Sequence, residues 1–417
     1  MKFATSSINI FRLAWRNLWR NRRRTLITLA AISLSMMLVQ AFHNLSYGVY
    51  ARMIDSGVRA GAGHLAVYRG DYVESRDEKL AFHPLELTAE IAAIPGVEAV
   101  LPRLYLPGLA QSSRESRGIL LTGVDPAAEY RVNPFLKLLP PEKMLRDADG
   151  RDAVVGARLL RELKIEEGSK FVITVQNRDG ELVNELFRVQ GVVETGIREL
   201  DGSLILVGRE RAAAIGGIPG EAHELAVILR RAADEAAIFP AVAALVQGRP
   251  ELNAIGWEKS MPNLANSIKL DYASQKFIFV IILLIVTIGV VNTLLMSVME
   301  RLREFGVILA LGATPRQLQR LVLTEALLLG IAAMVLGTFL GCLATWYLVE
   351  VGIDLRPFFE ETLEFGGVVF EPVLRAAWDI PWMARIALYV VALSLLASLY
   401  PAVKAGRTRP AEAMRHV

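Results

Sequence analysis

The sequence predicts an integral membrane protein in which four transmembrane α-helices carry a large mixed α/β domain, inserted between helices 1 and 2. Three observations favour this fold class. Hydrophobic residues make up 53% of the 417 residues and the mean hydropathy is +0.37, too apolar for a soluble chain of this length. Four stretches approach or reach the roughly 20 apolar residues that a helix needs to cross a bilayer. Between the first two stretches, residues 52–276 are mixed in charge and long enough for one or two folded domains.

Composition also excludes several kinds of partner and site. The 46 lysines and arginines nearly balance the 43 aspartates and glutamates, so the net charge of +3 gives no reason to expect nucleic acid as a partner. The single cysteine, Cys342, excludes an intramolecular disulfide and, with only five scattered histidines, a cysteine-rich metal cluster. We therefore predict no metal site and no nucleic-acid partner.

The first 24 residues predict an amphipathic elbow helix at the cytoplasmic surface. Residues 1–24 contain seven basic residues and no acidic one, and basic segments beside a span stay in the cytoplasm. Apolar residues recur opposite the arginines at helical spacing, at Ile8, Phe11, Trp15, Leu18 and Trp19. The apolar stretch 25–51 that follows is predicted as transmembrane helix 1. A cleaved signal or transit peptide is the alternative, which the length of the preceding basic segment disfavours.

Three more transmembrane helices are predicted, at 277–299, 320–349 and 385–403. Four spans return the chain to its starting side, and the tail 404–417 carries four basic residues against one acidic residue, so both termini are predicted to be cytoplasmic. The segment 350–384 between helices 3 and 4 has seven acidic residues against two arginines, which places it outside. Small residues recur every four positions on helix 3 and would let another helix pack closely, with glycines that face lipid as the alternative. They are Ala333, Gly337, Gly341 and Thr345.

The outside domain, 52–276, shows alternating signals for helices and strands. Residues 87–94 predict a helix that ends at Pro95-Gly96, and residues 118–123 predict a short strand. A hairpin is predicted where Asp179-Gly180 separates two stretches with strand-like alternation. A further helix is expected near 232–247, so the domain is mixed α/β.

Motifs of enzymes are absent from the sequence. The nearest approach to a Walker A motif, at 166–170, lacks the upstream glycine and the Gly-Lys order. His223-Glu224 begins a zinc-protease motif, but Val227 stands where its second histidine is required. We therefore predict no catalytic residue, no cofactor bound by this chain and no ATP hydrolysis by the chain itself.

The segment between helices 2 and 3, residues 300–319, predicts a short helix at the cytoplasmic membrane surface. It begins with a charged turn and continues as an apolar helix that is too short to cross the membrane. Gly312-Ala313-Thr314-Pro315 breaks this helix, and Thr314 or its neighbour is well placed to cap a new helix that starts at Pro315. The tip of such a segment would be polar and exposed to a partner protein.

This segment resembles the coupling helix of the FtsX-like, or MacB-type, ABC transporter permeases. The resemblance lies in Arg301, Glu304, Gly306, Leu311-Gly312-Ala313 and Glu325. Two further strings resemble the elbow helix and the closing signature of that family, LAWRNLWRNRRRTLIT near the N-terminus and LYPAVKAGRTRPAEAMR near the C-terminus. Within the family the chain is most similar to lipoprotein-releasing permeases of the LolC and LolE type, through GILLTGVDPAAEY at 118–130 and Trp257-Glu258. The predicted hairpin is short, whereas those permeases hold a periplasmic carrier with a long hairpin hook.

The resemblance implies a function and a set of partners. It implies the permease subunit of an ABC transporter in the bacterial inner membrane, with a second permease subunit of the same or a different sequence. Two copies of a separate ATPase would bind ATP and Mg²⁺ and would contact the coupling residues, Glu300, Arg301, Arg303, Glu304, Gly306, Leu311, Gly312, Ala313, Thr314 and Arg316. The outside domain would be periplasmic, and a periplasmic carrier or adaptor would be a further partner.

The implied cargo is a lipoprotein or a lipid that is extracted from the membrane and released. Met36, Met37, Val39 and Phe42 give the outer half of helix 1 a soft apolar surface suited to acyl chains, so we predict that they face the substrate. Two other functions stay open for a chain of this family. One is efflux of peptides or drugs in a MacB-like tripartite system, and the other is FtsX-like regulation of a periplasmic cell-wall hydrolase.

Overall fold

The computed structural model describes residues 7–194, 198–357, 364–365, 368–369 and 373–407. The chain divides into two compact units, each with its own hydrophobic cores. The first, called the membrane unit, comprises Met1–Val49, Asp271–Leu355 and Val373–Val417. The second, called the α/β unit, comprises Tyr50–Leu270 and Arg356–Pro372.

Helices and strands alternate along the α/β unit, and helices dominate the membrane unit. The α-helices of the described residues are α1 (Ser7–Leu18), α2 (Arg22–Ala60), α3 (Tyr72–Ser75), α4 (Leu85–Ala92), α5 (Pro126–Val132), α6 (Ala157–Glu162), α7 (Arg198–Ser203), α8 (Arg209–Gly216), α9 (Glu235–Gln247), α10 (Trp257–Ser260), α11 (Pro262–Glu300), α12 (Leu302–Ala310), α13 (Pro315–Glu350) and α14 (Ile380–Gly406). The strands are β1 (Leu65–Arg69), β2 (Val97–Gln111), β3 (Ser116–Val124), β4 (Asp152–Gly156), β5 (Lys170–Gln176), β6 (Leu182–Val193), β7 (Leu204–Gly208), β8 (Glu224–Leu229), β9 (Leu252–Gly256), β10 (Ile353–Asp354), β11 (Glu364–Phe365), β12 (Val368–Val369) and β13 (Val373–Leu374).

Four helices of the described chain are long and apolar enough to cross a membrane, namely α2, α11, α13 and α14. This agrees with the four predicted spans, but the helices are longer than the apolar stretches that predicted them. The predicted domain boundaries at 52 and 276 each fall inside a continuous helix, α2 or α11, so these helices extend beyond the predicted spans. Hydropathy marks where a helix meets lipid, and nothing in it requires the helix to end there. The predicted segment boundaries at 319 and 385 likewise fall inside α13 and α14.

The core of the membrane unit joins its four long helices. Its buried residues come in pairs, from α2 (Ile32, Met36), α11 (Val290, Leu294), α13 (Ala326, Ala333) and α14 (Val390, Ala397). The small residues predicted on helix 3 are all buried on α13, and they face α2. A β-carbon added at Gly337 would lie 2.8 Å from Met36 Sδ, and Thr345 Oγ1 accepts a hydrogen bond of 3.0 Å from Asn44 Nδ2. The close helix contact expected from this spacing is therefore present.

The sheet of the α/β unit has two parts that share strand β2. The strand order is β3-β7-β4-β6-β5-β2-β8-β1-β9, and β3 also pairs with β2, so the first six strands close on themselves. The first half of β2 instead pairs with β8, within an antiparallel sheet covered by α4 and α9. The predicted hairpin is confirmed as β5 and β6, with Gly180 at φ +87 in the turn. Its loop spans only residues 177–181, in agreement with the short hairpin expected from the sequence.

Candidate functional site

The segment between α11 and α13 contains the short helix and the break that the sequence predicts. Helix α12 ends at Ala310, and Gly312 adopts φ +95 in the turn, a backbone conformation that costs residues other than glycine free energy. Thr314 then caps α13 with a capping box: its hydroxyl accepts from the Gln317 amide, and the Gln317 side chain accepts from the Thr314 amide at 2.8 Å. The predicted cap at Thr314 is confirmed.

One face of α12 is buried against the long helices. Phe305 is fully buried in a cluster with Val298 of α11, Leu318 and Val322 of α13, and Ala402 and Ala405 of α14. Gly306 beside it is also buried. Because the cluster draws on three spans, α12 cannot shift without disturbing the packing of all of them.

A buried polar network lies behind this face. Glu325 of α13 accepts hydrogen bonds from Arg301 Nη1 at 2.9 Å and from Asn17 Nδ2 of α1 at 2.7 Å. The Arg301 guanidinium also lies 5.0 Å from the centre of the Phe305 ring, a cation–π contact. Only 9% of the Arg301 side chain is exposed, so Arg301 lies in the buried part of the coupling segment and not on its outer surface. A carboxylate buried on an apolar helix needs a counter-charge, and Arg301 supplies it.

The two acidic residues of the coupling segment pair with arginines near the N-terminus. Arg24 Nη1 lies 2.8 Å from Glu300 Oε2, and Arg20 Nη1 lies 2.5 Å from Glu304 Oε1. Partial burial alone would raise the pKa of Glu304, but its hydrogen bond to Arg20 and the nearby positive charges lower the pKa instead. These acids thus contact the chain's own elbow segment, a role that reasoning from the sequence missed.

The surface left for a partner lies at the turn between α12 and α13. Leu311 is 69% exposed, and Arg303, Gly312, Thr314 and Arg316 are exposed as well. Glu300 is exposed beside its ion pair, whereas Ala313 and Glu304 are half-buried. We call the exposed residues Leu311, Gly312, Thr314 and Arg316 the coupling tip. The ten predicted coupling residues therefore divide into a tip that faces outward and a base that is buried or paired.

The structure separates the four residues predicted to face the substrate. Met36 is only 3% exposed and packs against Gly337, so its prediction as a surface residue is wrong. Its helix face points at α13 because the small residues there admit a second helix. Val39 and Phe42 instead line an open cavity of 840 Å³ among α2, α11 and α14, and Met37 is half-buried outside the cavity lining.

A stack of aromatic rings forms one wall of this cavity, which we call the membrane cavity. The His43 ring lies parallel to Trp382 with 3.6 Å between ring centres. His43 Nε2 lies 3.1 Å from Asp379 Oδ2, and Asp379 Oδ1 accepts from the Trp382 amide at 3.0 Å, capping α14. Sequence reasoning missed these residues because no motif links positions that lie 336 residues apart.

The C-terminal end of α2 is bound firmly within the α/β unit. Arg59 donates to Glu98 at 3.0 Å and to the Leu229 carbonyl at 3.2 Å, while Arg103 donates to the Arg59 carbonyl at 3.1 Å. Arg103 is itself buried and forms an ion pair with Glu129 at 2.6 Å. Burial alone would lower the pKa of Arg103, but Glu129 and Glu224 raise it, so this guanidinium stays charged. The last turn of α2 is therefore attached to β2 and β8.

Among the described residues no group of three or more histidine, cysteine, aspartate or glutamate side chains could hold a metal ion. His223, which begins the incomplete zinc-protease motif, has a structural role. His223 accepts from the Tyr105 amide at 3.1 Å, and its Nε2 lies 2.9 Å from the Glu78 carbonyl. Burial lowers the pKa of His223, which favours the neutral ring.

Comparison with known proteins gives two family matches and several relatives. The MacB-like periplasmic core domain matches residues 25–246, and the FtsX-like permease C-terminal domain matches residues 276–410. The chain is 26% identical over 332 residues to the lipoprotein-releasing system transmembrane protein LolC of Neisseria meningitidis, covering 77% of this chain and 79% of that protein.

Two further relatives extend the comparison. The chain is 20% identical to the lipoprotein-releasing system transmembrane protein LolE of Haemophilus influenzae, over 81% of this chain and 82% of that protein. It is 22% identical to the pyoverdine export ATP-binding/permease protein PvdT of Pseudomonas fluorescens, over 98% of this chain and 59% of that protein. With four membrane-length helices and a mixed α/β domain inserted after the first, the chain belongs to the family with a MacB-like periplasmic core domain, and it ends in an FtsX-like permease C-terminal domain.

Proposed function

We propose that this chain is the permease subunit of a lipoprotein-releasing ABC transporter in the bacterial inner membrane. The observation that carries the proposal is the coupling tip, an exposed turn with Leu311 as its apolar anchor, at the end of a helix whose other face is buried among three spans. The energy would come from a separate ATPase, which binds ATP and Mg²⁺ and contacts the tip. Two ATPase copies and a second permease subunit would complete the transporter.

The base of the coupling segment would transmit motion from the tip to the membrane helices. When ATP binding closes the ATPases, a displacement of α12 would move α13 through the Arg301–Glu325 pair. The ion pairs from Arg20 and Arg24 would make the elbow segment and the start of α2 move as well. Helix α2 is continuous as far as Ala60, where Arg59 binds β8, so the same displacement would reach the α/β unit.

The basic flanks of the spans support an orientation with both termini in the cytoplasm and the α/β unit in the periplasm. The cargo would be a lipoprotein or lipid taken from the outer leaflet. A periplasmic carrier or adaptor would receive it. The loop of the β5–β6 hairpin spans only residues 177–181 and forms no long hook. A carrier would therefore dock in a different way from that expected for the LolC type.

A test of this function starts from the tagged chain purified from its native membranes in mild detergent. Mass spectrometry should identify an ABC ATPase, a second permease subunit and acylated peptides in the same sample. Leu311→Asp should reduce the recovered ATPase by about tenfold or more, because loss of a central apolar anchor costs about 2 kcal/mol or more. Leu85→Asp is the matched control, since Leu85 is 82% exposed in the α/β unit and its change should leave recovery unchanged.

Two results would contradict the proposal. Absence of any ATPase from the purified wild-type sample would rule out the coupling role. Full recovery of the ATPase with Leu311→Asp would rule out the coupling tip as its binding surface. Efflux is the second candidate, because the relative that covers 98% of this chain is an export protein. Recovery of an adaptor and no acylated peptide would favour efflux over lipoprotein release.

A further inference from the structure

The membrane cavity combines a large apolar wall with a small number of polar groups. At 840 Å³ it lies in the size range of lipid and cofactor pockets. Its apolar wall comes from Leu38 and Phe42 of α2, Ile278 and Phe279 of α11, and Ile386 of α14. Leu38 and Phe42 are 57% and 55% exposed, so the cavity is open to the surrounding lipid. These dimensions and this chemistry fit acyl chains.

Two basic side chains line the same cavity. Lys276 precedes the apolar run of α11 and Arg385 lies in the second turn of α14, and both are exposed. Within the described part of the chain, neither of them has an ion-pair partner. The acidic residue of the lining, Asp379, is already engaged by His43 and by the cap of α14. The cavity lining therefore carries two positive charges against the single negative charge of Asp379, beside an apolar wall.

The aromatic wall indicates the depth in the membrane at which the two cations lie. His43 and Trp382 are in contact as a parallel stack, and Phe279 lies 6.3 Å from Trp382, measured between ring centres. Tryptophan side chains such as Trp382 prefer the level of the lipid headgroups. The cations, the stack and the apolar wall thus match a headgroup followed by acyl chains.

We propose that the membrane cavity binds an anionic glycerophospholipid as a resident ligand. Its phosphodiester lies between Lys276 and Arg385, and its acyl chains cover Leu38, Phe42 and Ile278. Charge complementarity favours an anionic headgroup over a zwitterionic one, whose ammonium group would oppose the same two cations. The inference does not depend on the proposed function, because a bound phospholipid would occupy this cavity whatever cargo the transporter moves.

The experiment is native mass spectrometry of the full-length protein, purified in detergent and incubated with equimolar phosphatidylglycerol and phosphatidylcholine of identical acyl chains. The wild type should retain more phosphatidylglycerol than phosphatidylcholine. Lys276→Gln and Arg385→Gln should each reduce this preference by on the order of fivefold, the effect of one cation near an anionic surface. The double variant should bind the two lipids equally. Val39→Trp, which fills the cavity, should reduce binding of both.

Matched variants separate the site from a general effect of charge or folding. Arg320→Gln removes an exposed cation of α13 outside the cavity and should leave the preference unchanged. The exchange Lys276→Arg with Arg385→Lys keeps both charges and should also retain it. Equal retention of the two lipids by the wild type would overturn the proposal and show that the cations only extend toward the bilayer surface. So would an undiminished preference in the double glutamine variant.

Competition distinguishes a resident lipid from the cargo itself. A tripalmitoylated lipopeptide added at equimolar amount should leave the phosphatidylglycerol bound, because the lipopeptide offers no phosphodiester to the two cations. Its displacement of phosphatidylglycerol would assign the cavity to acylated cargo and overturn the proposal.

Discussion

At the scale of single residues, Glu325 connects three segments that are far apart in sequence. It is 5% exposed on an otherwise apolar helix, and it accepts from Asn17 of α1 and from Arg301 beside α12. The energetic consequence of such a pair is asymmetric. An intact buried pair adds little net stability, whereas removal of one partner leaves an uncompensated charge in a medium of low dielectric constant.

We expect Glu325→Gln to lower the free energy of unfolding of the membrane unit by about 3 kcal/mol, because the buried Arg301 would keep only its 3.4 Å contact with the half-exposed Glu304 as a counter-charge. The measurement is unfolding by sodium dodecyl sulfate in mixed micelles. Glu300→Gln is the matched control. It breaks the partly exposed Arg24–Glu300 pair and should cost no more than about 1 kcal/mol. Equal losses for the two variants would contradict the role assigned to Glu325.

Glu235 gives the α/β unit a pH dependence. Partial burial, with the nearby charge of Glu258, raises the pKa of Glu235 from 4.5 to about 7, although hydrogen bonds from Trp257 act in the opposite direction. The folded state therefore holds this proton more tightly than the unfolded chain. Its stabilising effect is complete below about pH 4.5 and is lost as the pH rises toward 7.

We expect the free energy of unfolding of the α/β unit to fall between pH 5 and pH 7.5. The measurement is hydrogen exchange of residues 235–258 in the full-length protein, expressed as protection relative to the intrinsic exchange rate at each pH. In Glu235→Gln this part of the pH dependence should be absent, because the amide does not titrate. An identical pH profile in the variant would show that another group is responsible.

At the scale of elements, the sequence predicts the existence of α12 and the cap of α13 better than it predicts which residues are exposed. The Gly312–Pro315 break and the Thr314 cap are local signals, so one sequence is sufficient to find them. The burial of Arg301 and the pairing of Glu304 depend on distant positions: Glu325 lies on α13, and Arg20 lies between α1 and α2. The same limit applies to Met36, whose neighbour Gly337 lies on another helix.

Helix packing between α2 and α13 depends on the small residues of α13. Gly337→Val should destabilise the membrane unit by about 1–3 kcal/mol, since the added side chain would overlap Met36 and separate the two helices. Gly289→Val in α11 is the matched control, because a β-carbon there meets no atom within 4 Å. Both variants carry the same cost of a β-branched residue in a helix. The measurement is again unfolding in mixed micelles, and equal midpoints would contradict the packing role.

At the scale of the whole molecule, the fold class follows from hydropathy and length, but the extent of the long helices does not. Residues 52–60 and 262–276 are too polar to be read as membrane spans, yet they continue α2 and α11 without a break. The closed part of the sheet, in which β3 pairs with both β7 and β2, also has no local signal. Pairings between distant strands depend on tertiary contacts that a single sequence does not reveal.

The variant Arg59→Ala tests whether the C-terminal end of α2 transmits motion to the α/β unit. Arg59→Ala removes the hydrogen bonds to Glu98 and to the Leu229 carbonyl, each worth about 1.5–3 kcal/mol when one partner is charged. We expect ATP hydrolysis by the reconstituted complex to persist while cargo release falls, because the tip and base of the coupling segment are unchanged. The control is Arg231→Ala, whose side chain is 76% exposed in a surface pair with Asp234 and whose loss should affect neither activity. Parallel loss of hydrolysis and release in Arg59→Ala would instead indicate a general defect in folding, and unchanged release would show that motion reaches the sheet by another route.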